Sequence, residues 1–276
     1  MLPLPHLKFA AFRSSRRRLL GSVAAIGLLP GSLVQAMPQT RLAFPRDHGA
    51  HPDFRTEWWY LTGYASQAGM DAAYGFQLTF FRSRIPTTQS MHSRLAARQL
   101  LFAHAAVTDV QGRRLWHDQR AARSSGDRPG SNPTDSAWYS TTNTAVALKD
   151  WSLRRDVDGL RARMRGSHFA LDLTLAPTQP ILLQGDQGLS GKGPNPEQAS
   201  YYYSQPQLQA SGQLTLAGRL VTLAPGSRAW LDHEWSQEIL HPEAVGWDWI
   251  GINLLDGSAL TAFQLRRQDG SALWHG

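Results

Sequence analysis

The sequence contains no cysteine among its 276 residues. This absence excludes disulfide bonds, a thiol nucleophile and a thiolate metal site. Charged residues are also scarce, at 18%, and such a low fraction argues against disorder. The chain instead has 42% hydrophobic and 10% aromatic residues. That is enough for the core of one large domain or of two smaller ones.

The net excess of positive charge is small outside the N-terminal segment. The first 36 residues contain one lysine, four arginines and no acid, which accounts for five of the seven net positive charges. The rest of the chain carries 23 basic and 21 acidic side chains. Because nucleic-acid binding requires a clustered basic surface, we expect no nucleic-acid partner.

No apolar run reaches the length of about 20 residues that a membrane-spanning helix requires. The N-terminal segment has three arginines at residues 16–18, a short apolar run over residues 23–29 and small residues before position 37. This order is typical of a signal peptide, and the paired arginines followed by leucines resemble a twin-arginine signal. We therefore expect residues 1–36 to direct export by the twin-arginine machinery, giving a periplasmic protein. An uncleaved membrane anchor is the alternative.

A sustained helical period is also absent, whereas alternation of apolar and polar residues is frequent. In residues 73–84, for example, Tyr74, Phe76, Leu78 and Phe80 share one face. Short alternating segments separated by turn residues are typical of an antiparallel sandwich or barrel. A polar, proline-containing boundary near Tyr203 suggests domains at residues 41–205 and 206–276. About five strands follow it, too few for a barrel of about eight strands, so we expect the second domain to be truncated.

Residues 229–249 concentrate the polar chemistry, with five carboxylates and four of the ten tryptophans. Alternation along a strand places Leu231, His233 and Trp235 on one face, and Trp230, Asp232 and Glu234 on the other. It also places Asp248 on the apolar face of the next strand. Burying an unpaired polar group costs a few kcal/mol. We therefore expect His233 and Asp248 to meet each other or a ligand. A pair that only joins two strands is the alternative.

Glu57 lies in an aromatic run, where burial would raise its pKa and allow it to act as an acid. Pairing with an arginine, such as Arg46, Arg55 or Arg82, is the alternative, and we favour it. The two histidines of residues 47–53 could bind a metal, with Glu57 or Asp53 as a third ligand. They lie in a loop without an HExxH motif, so we expect no metal. We also expect no cofactor, and the pattern of a phosphate-binding loop is incomplete. The absence of a GxSxG motif argues against a serine hydrolase.

Several segments together resemble one family. They are FPRDHGAHPDFRTEWWYLTG (44–63), FQLTFFR (76–82), FAHAAVTD (102–109), GLSGKG and SYYYS (188–204), WLDHEW (230–235) and GWDWIGINLLDG (246–257). They are similar to the carotenoid 1,2-hydratases (hydroxyneurosporene synthases) and AttH-like proteins. The resemblance implies two lipocalin-like antiparallel β-barrel domains, with the chain ending inside the second. It also implies acid–base chemistry in the segment that carries His233, Trp235 and Asp248.

The resulting hypothesis is hydration of a carbon–carbon double bond in an isoprenoid- or lipid-like molecule. Asp248 would protonate the alkene, tryptophan faces would stabilise the carbocation, and His233 would activate the water. The candidate catalytic residues are His233, Asp248, Trp235 and Glu57. The candidate ligand-binding residues are Trp58, Trp59, Tyr60, Trp247, Trp249 and Tyr202. The alternatives are a carrier of an apolar ligand and a hydrolase that uses the same His–Asp pair.

Overall fold

The computed structural model describes residues 37–276 with the exception of residues 94–95, 125, 127–136 and 239, and without the side chains of residues 71 and 72. The predicted export signal lies outside the described residues and stays a prediction. The helical segments of the described part are two 3₁₀ turns, Arg46–His48 and Pro86–Thr88. Neither could cross a bilayer.

Strands make up most of the described chain. They are β1 (Thr56–Gln67), β2 (Met70–Arg84), β3 (Gln99–Asp109), β4 (Arg114–Arg123), β5 (Ala137–Tyr139), β6 (Ala145–Leu148), β7 (Trp151–Asp156), β8 (Gly159–Arg165), β9 (Phe169–Ala176), β10 (Leu182–Leu183), β11 (Leu189–Gly191), β12 (Ala199–Leu216), β13 (Arg219–Thr222), β14 (Arg228–Ser236), β15 (Gly246–Asn253), β16 (Ala259–Arg266) and β17 (Ala272–His275).

The strands form where the sequence alternates. In β9 the buried side chains are those of Phe169, Leu171, Leu173 and Leu175, and in β8 every second residue after Leu160 is buried. Since side chains of a strand point alternately to opposite faces, this pattern supplies one apolar face per strand. These faces join in a single core with Leu61, Leu78 and Leu231.

One antiparallel sheet contains most of the strands, in the order β4-β3-β2-β1-β14-β12-β9-β8-β7-β6-β5, with β10, β11 and β13 also paired to β12. Strands β3 and β4 at one end contact β6 at the other, so the sheet nearly closes on itself. The predicted all-β, lipocalin-like antiparallel fold is confirmed.

The middle of this sheet is β14, which lies between β1 and β12. Trp59 of β1 and Tyr203 of β12 are both paired in register with His233 of β14. The long strand β12 then leaves β14 and continues beside β9, after a register shift between Gln205 and Leu208. This arrangement brings together β1, β12 and β14, although β1 is far from the other two strands in the sequence.

The second sheet is small, with the order β15-β16-β17. It contacts the outer face of β14, where Asn253 donates a hydrogen bond to the Ala229 carbonyl at 3.1 Å. The predicted boundary between residues 205 and 206 falls inside β12, and the change of sheet comes later, between Ser236 and Gly246. The division into two domains stays a prediction.

Candidate functional site

Strand β14 has both faces buried, and each face carries polar side chains. His233 and Trp235 point into the barrel, whereas Asp232 and Glu234 point towards the small sheet, and all four are at most 6% exposed. The alternation predicted for this strand is therefore correct. It creates two separate polar groups, which we call the interior network (around Glu57) and the intersheet cleft (around Asp232).

Glu57 is the centre of the interior network. Its Oε1 lies 2.8 Å from His51 Nδ1 and 2.9 Å from His233 Nε2. Its Oε2 accepts a hydrogen bond from Arg82 Nε at 2.7 Å. The His51 backbone N–H donates to both carboxylate oxygens. Glu57, Arg82 and His233 are each 0% exposed, so the network is closed to solvent at its centre.

A second layer of hydrogen bonds surrounds these groups. The Tyr203 hydroxyl contacts His233 Nδ1 at 3.2 Å and His48 Nδ1 at 2.8 Å. Asp47 Oδ1 lies 3.1 Å from His51 Nε2. The guanidinium of Arg82 also donates to the carbonyls of His51 and Phe54. The network therefore fixes the loop before β1 against the barrel strands.

Burial and charge set the protonation states in this network. Burial opposes the charge of Glu57, but the Arg82 guanidinium and two imidazole hydrogen bonds hold its pKa well below the usual range. Burial lowers the pKa of His233 to about 4, and burial lowers that of His48 to about 3. Burial also disfavours charge on His51, but its contacts with Asp47 and Glu57 raise its pKa. At neutral pH Glu57 is thus a carboxylate and His233 is neutral.

The intersheet cleft is organised around Asp232. Its Oδ1 accepts hydrogen bonds from Ser204 Oγ at 2.6 Å and from Trp230 Nε1 at 2.7 Å. The Tyr202 hydroxyl is a further partner, and it accepts a hydrogen bond from Trp249 Nε1 at 3.1 Å. Burial raises the pKa of Asp232 to about 7, although these hydrogen bonds oppose the rise. Asp232 is therefore protonated in a large fraction of molecules at neutral pH.

A second carboxylate shares the cleft. Glu234 accepts a hydrogen bond from Ser200 and forms an ion pair with Lys192 Nζ at 3.0 Å. Lys192 also lies over the ring of Tyr202, 4.7 Å from its centroid. Since β-strand residues rise by about 3.3 Å each, the Asp232 and Glu234 backbone positions are about 7 Å apart. A proton donor and an ion-paired carboxylate therefore stand side by side.

The cleft is lined by aromatic rings. Trp249 contacts Trp230 edge-on, with ring centroids 6.0 Å apart, and contacts Tyr60 with centroids 5.6 Å apart. These rings come from β1, β14 and β15. Aromatic faces attract positive charge through their quadrupole. The cleft thus combines a neutral carboxyl group with surfaces that stabilise a cation.

A separate hollow of about 320 Å³ lies at the other end of the β1–β2 hairpin, with Tyr74, Asp109 and Arg219 in its lining. None of the residues of the interior network or of the intersheet cleft contributes to it. The lining also includes Gln67 and Gln111, so it is mostly polar. This hollow is therefore distinct from the two polar groups on β14.

The chain is similar in sequence and in fold to known proteins. The model of the AttH-like family matches residues 35–276. The chain belongs to the AttH-like family. The crystal structure of an AttH candidate from Nitrosomonas europaea is 44% identical, with a TM-score of 0.74, and the match covers 87% of this chain and 69% of that one. No curated protein matches.

A more distant likeness is to kievitone hydratase from Nectria haematococca. Its crystal structure is 12% identical, with a TM-score of 0.56, and the match covers 84% of this chain and 67% of that one. At this identity the likeness concerns the fold alone. The AttH-like chain described here therefore shares its architecture with both proteins.

The predicted meeting of His233 and Asp248 is wrong. His233 contacts Glu57 and Tyr203 instead. The Asp248 side chain is 54% exposed and pairs with Arg266 at 2.7 Å, because its face of β15 points away from β14. The idea that burial raises the pKa of Glu57 is also wrong, since the alternative pairing with Arg82 is present.

Most of the remaining predicted residues belong to one of the two polar groups. Trp59 and Trp235 stack against the histidines of the interior network, and Tyr60, Tyr202 and Trp249 line the intersheet cleft. Trp58 contacts Phe81, with ring centroids 6.4 Å apart. Trp247 is 39% exposed and takes part in neither group.

Asp232 and Glu234 are the residues that sequence reasoning did not select. Their signal was present, because Leu231 precedes Asp232 and Trp235 follows Glu234 in the same strand. The prediction favoured His233 on the opposite face, since that face looked more apolar. Only the small sheet, which covers the other face, makes both faces of β14 interior.

Proposed function

We propose that this protein is a hydratase-like enzyme that adds water to a carbon–carbon double bond in a hydrophobic, isoprenoid- or lipid-like molecule. The observation that carries the proposal is the buried Asp232 carboxyl group, held among Trp230, Tyr202 and Trp249. A protonated carboxyl in an aromatic setting is what protonation of an unactivated alkene requires. The fold shared with kievitone hydratase supports the same class of reaction.

The reaction has two proton transfers that involve the substrate and the water, and a third that restores the enzyme. Asp232 donates its proton to one alkene carbon, and the adjacent carbon becomes a cation that faces Trp230 and Trp249. A water molecule attacks that carbon through its oxygen, and Glu234 accepts the water proton. The product is a tertiary or secondary alcohol. A proton then returns from Glu234 to Asp232 through solvent, which restores the starting state.

Access to Asp232 requires a movement of the small sheet, because Asp232 is only 4% exposed. Such a movement would have to break hydrogen bonds between the two sheets, among them Asn253–Ala229, Trp249–Tyr202 and those that Gln207 donates to Asn253, Leu254 and Ser258. A small depression beside Lys192, lined also by Ala199 and Leu240, borders the cleft. Substrate would enter from this side.

The decisive experiment is incubation of the purified full chain with isoprenoid alkenes in H₂¹⁸O, followed by mass spectrometry of the alcohol. We expect ¹⁸O in the product. Asp232→Asn and Glu234→Gln should each lower the rate by about 100-fold or more, the usual range for a general acid or base. Asp172→Asn, at an exposed ion pair, is the matched control.

The Asp248→Asn variant decides between the two carboxyl groups. The structure places Asp248 at the surface, so we expect its rate to match the parent chain. If Asp248→Asn were inactive and Asp232→Asn fully active, the assignment to the cleft would be wrong.

A carrier function is the second candidate, and the hollow near Tyr74 and Arg219 is the observation that favours it. Its volume is at the lower end of ligand pockets. The lining is polar, however, which suits an apolar ligand poorly. Quenching of tryptophan fluorescence by an alkene that is never converted, lost in Arg219→Ala and retained in Asp232→Asn, would favour the carrier.

A further inference from the structure

The interior network contains three possible metal ligands that the proposed reaction does not use. His51 Nδ1, Glu57 Oε1 and His233 Nε2 all lie within 4.8 Å of one another, and all three residues are buried. The groups come from the loop before β1, from β1 and from β14. They meet through the pairing of β1 with β14, which aligns Glu57 with Trp235 and Trp59 with His233.

Each of these groups is held from its other side. His51 Nε2 lies 3.1 Å from Asp47 Oδ1, and His233 Nδ1 lies 3.2 Å from the Tyr203 hydroxyl. Glu57 Oε2 is engaged by Arg82. Metal-binding histidines commonly have such a partner on the distal ring nitrogen, which fixes the tautomer and the ring orientation.

Stacking fixes the two imidazole rings further. The ring of His51 is parallel to that of Trp235, with an interplanar angle of 6° and centroids 3.7 Å apart. The ring of His233 stacks on Trp59 with centroids 4.7 Å apart. Side chains locked by packing in this way form a preorganised binding site.

We propose that His51 Nδ1, His233 Nε2 and Glu57 Oε1 bind a divalent transition metal ion of the Zn²⁺ class. Two imidazole nitrogens and one carboxylate oxygen form a ligand set that zinc accepts, whereas calcium and magnesium prefer oxygen alone. The proposal replaces the expectation from the sequence that the chain binds no metal. It is independent of the reaction proposed for the cleft.

The two distances from Glu57 Oε1 allow the ion with a small expansion, and the ring nitrogens of His51 and His233 lie within 4.8 Å of one another. The Glu57 oxygen is now 2.8 Å and 2.9 Å from the two ring nitrogens. Tetrahedral zinc with bonds of about 2.0–2.1 Å requires ligand atoms about 3.3 Å apart. Each of the two separations from Glu57 Oε1 must therefore lengthen by about 0.5 Å. The Arg82 cation does not block the position, because it contacts Oε2 and leaves Oε1 to the histidines.

The test uses the tag-free full chain after dialysis against a chelator. Titration with ZnCl₂ in a calorimeter should give one saturable site per chain. CoCl₂ should produce the visible absorption of a four-coordinate cobalt site. We expect His233→Gln to lose the site, with at least a 100-fold weaker affinity. His48→Gln, which disturbs the Tyr203 hydroxyl from the other side, should keep it.

Two results would overturn the proposal. One is the absence of a one-to-one site in the folded parent chain. The other is equal zinc affinity in the parent chain and His233→Gln, which would indicate surface binding only. If His233→Gln does not fold, X-ray absorption of the zinc-loaded parent chain decides: two imidazole ligands support the site, and fewer than two overturn it.

Discussion

Asp232 and His233 are adjacent in β14, yet their side chains enter different environments. Asp232 points into the cleft below the small sheet, and His233 points into the barrel towards Glu57. Burial shifts both groups towards their neutral forms, since the pKa of Asp232 rises to about 7 and that of His233 falls to about 4. One strand therefore carries two polar groups with opposite responses to pH, and each can be tested separately.

The first prediction concerns Asp232→Asn. Burial raises the folded-state pKa of Asp232 to about 7, above the value of about 3.9 in an unfolded chain. Its contribution to stability is therefore complete below about pH 4 and is lost as the pH rises towards 7. Asparagine stays neutral throughout. We expect the variant to gain stability over the parent chain between pH 5 and pH 8, by a few kcal/mol.

Urea unfolding at both pH values measures this difference. Asp172→Asn, at an exposed pair with Arg163, is the control and should show no comparable change. An Asp232→Asn effect of the same size at pH 5 and pH 8 would contradict the raised pKa.

The second prediction concerns Glu57→Gln. This substitution leaves the fully buried Arg82 guanidinium without its carboxylate partner. Removing one member of a buried ion pair typically costs about 3–5 kcal/mol. We expect a loss of this size in the free energy of unfolding, measured with urea in the presence of a chelator. Asp156→Asn, at an exposed pair with Arg161, should cost less than about 1 kcal/mol.

The local part of this arrangement could be predicted from the sequence. Alternation alone assigned His233 and Asp232 to opposite faces of β14, because strand geometry is a property of consecutive residues. The all-β class and the approximate bounds of strands such as β2 and β3 followed from the same pattern, whereas β12 was divided at the predicted domain boundary. An arginine partner for Glu57 could be predicted, but the sequence offered Arg46, Arg55 and Arg82 equally, and only the structure selects Arg82.

The partners across the sheet could not be predicted in the same way. Glu57 and His233 are separated by 176 residues, and only the pairing of β1 with β14 joins them. The burial of Asp232 depends on which face of β15 packs on β14. The alternation of apolar and polar residues in β15 does not decide between its two faces. His51 was recognised as a possible ligand, but its loop position concealed its closeness to Glu57.

The third prediction concerns acid. Burial lowers the folded-state pKa of His48 to about 3 and that of His233 to about 4, below the unfolded value of about 6.5. Their contribution is therefore present above pH 6.5 and is lost as the pH falls towards 4. We expect the contribution of these two histidines to fall by a few kcal/mol over this range in a buffer that contains a chelator. The raised pKa values of Asp232 and His51 act in the opposite direction and offset part of this loss.

His48→Gln isolates part of this effect, because glutamine can still reach the Tyr203 hydroxyl but does not take up a proton. Its stability should decline less steeply with acid than that of the parent chain. His117→Gln, at an exposed position of β4, should retain the full slope. Parallel stability curves for all three proteins would show that His48 does not contribute to the acid response.

The fourth prediction concerns the contact between the two sheets at Gly251. A Cβ atom there would lie 2.4 Å and 2.6 Å from the Trp249 ring and 3.3 Å from Trp230. Gly251→Ala must therefore displace the Trp249 indole, which breaks its hydrogen bond to Tyr202. We expect a loss of about 1–3 kcal/mol, typical of overpacking, and a red shift of tryptophan fluorescence as the ring moves towards water.

Gly75→Ala is the matched control, because its Cβ would meet Thr108 at 3.6 Å, an ordinary contact. That variant should unfold within about 0.5 kcal/mol of the parent chain and keep its fluorescence spectrum. If the intersheet cleft holds the substrate, Gly251→Ala should also lower the hydration rate, since Trp249 forms part of the wall that faces the carbocation. A normal rate in Gly251→Ala together with the red-shifted spectrum would place the reaction away from Trp249, and the cleft would lose its assignment.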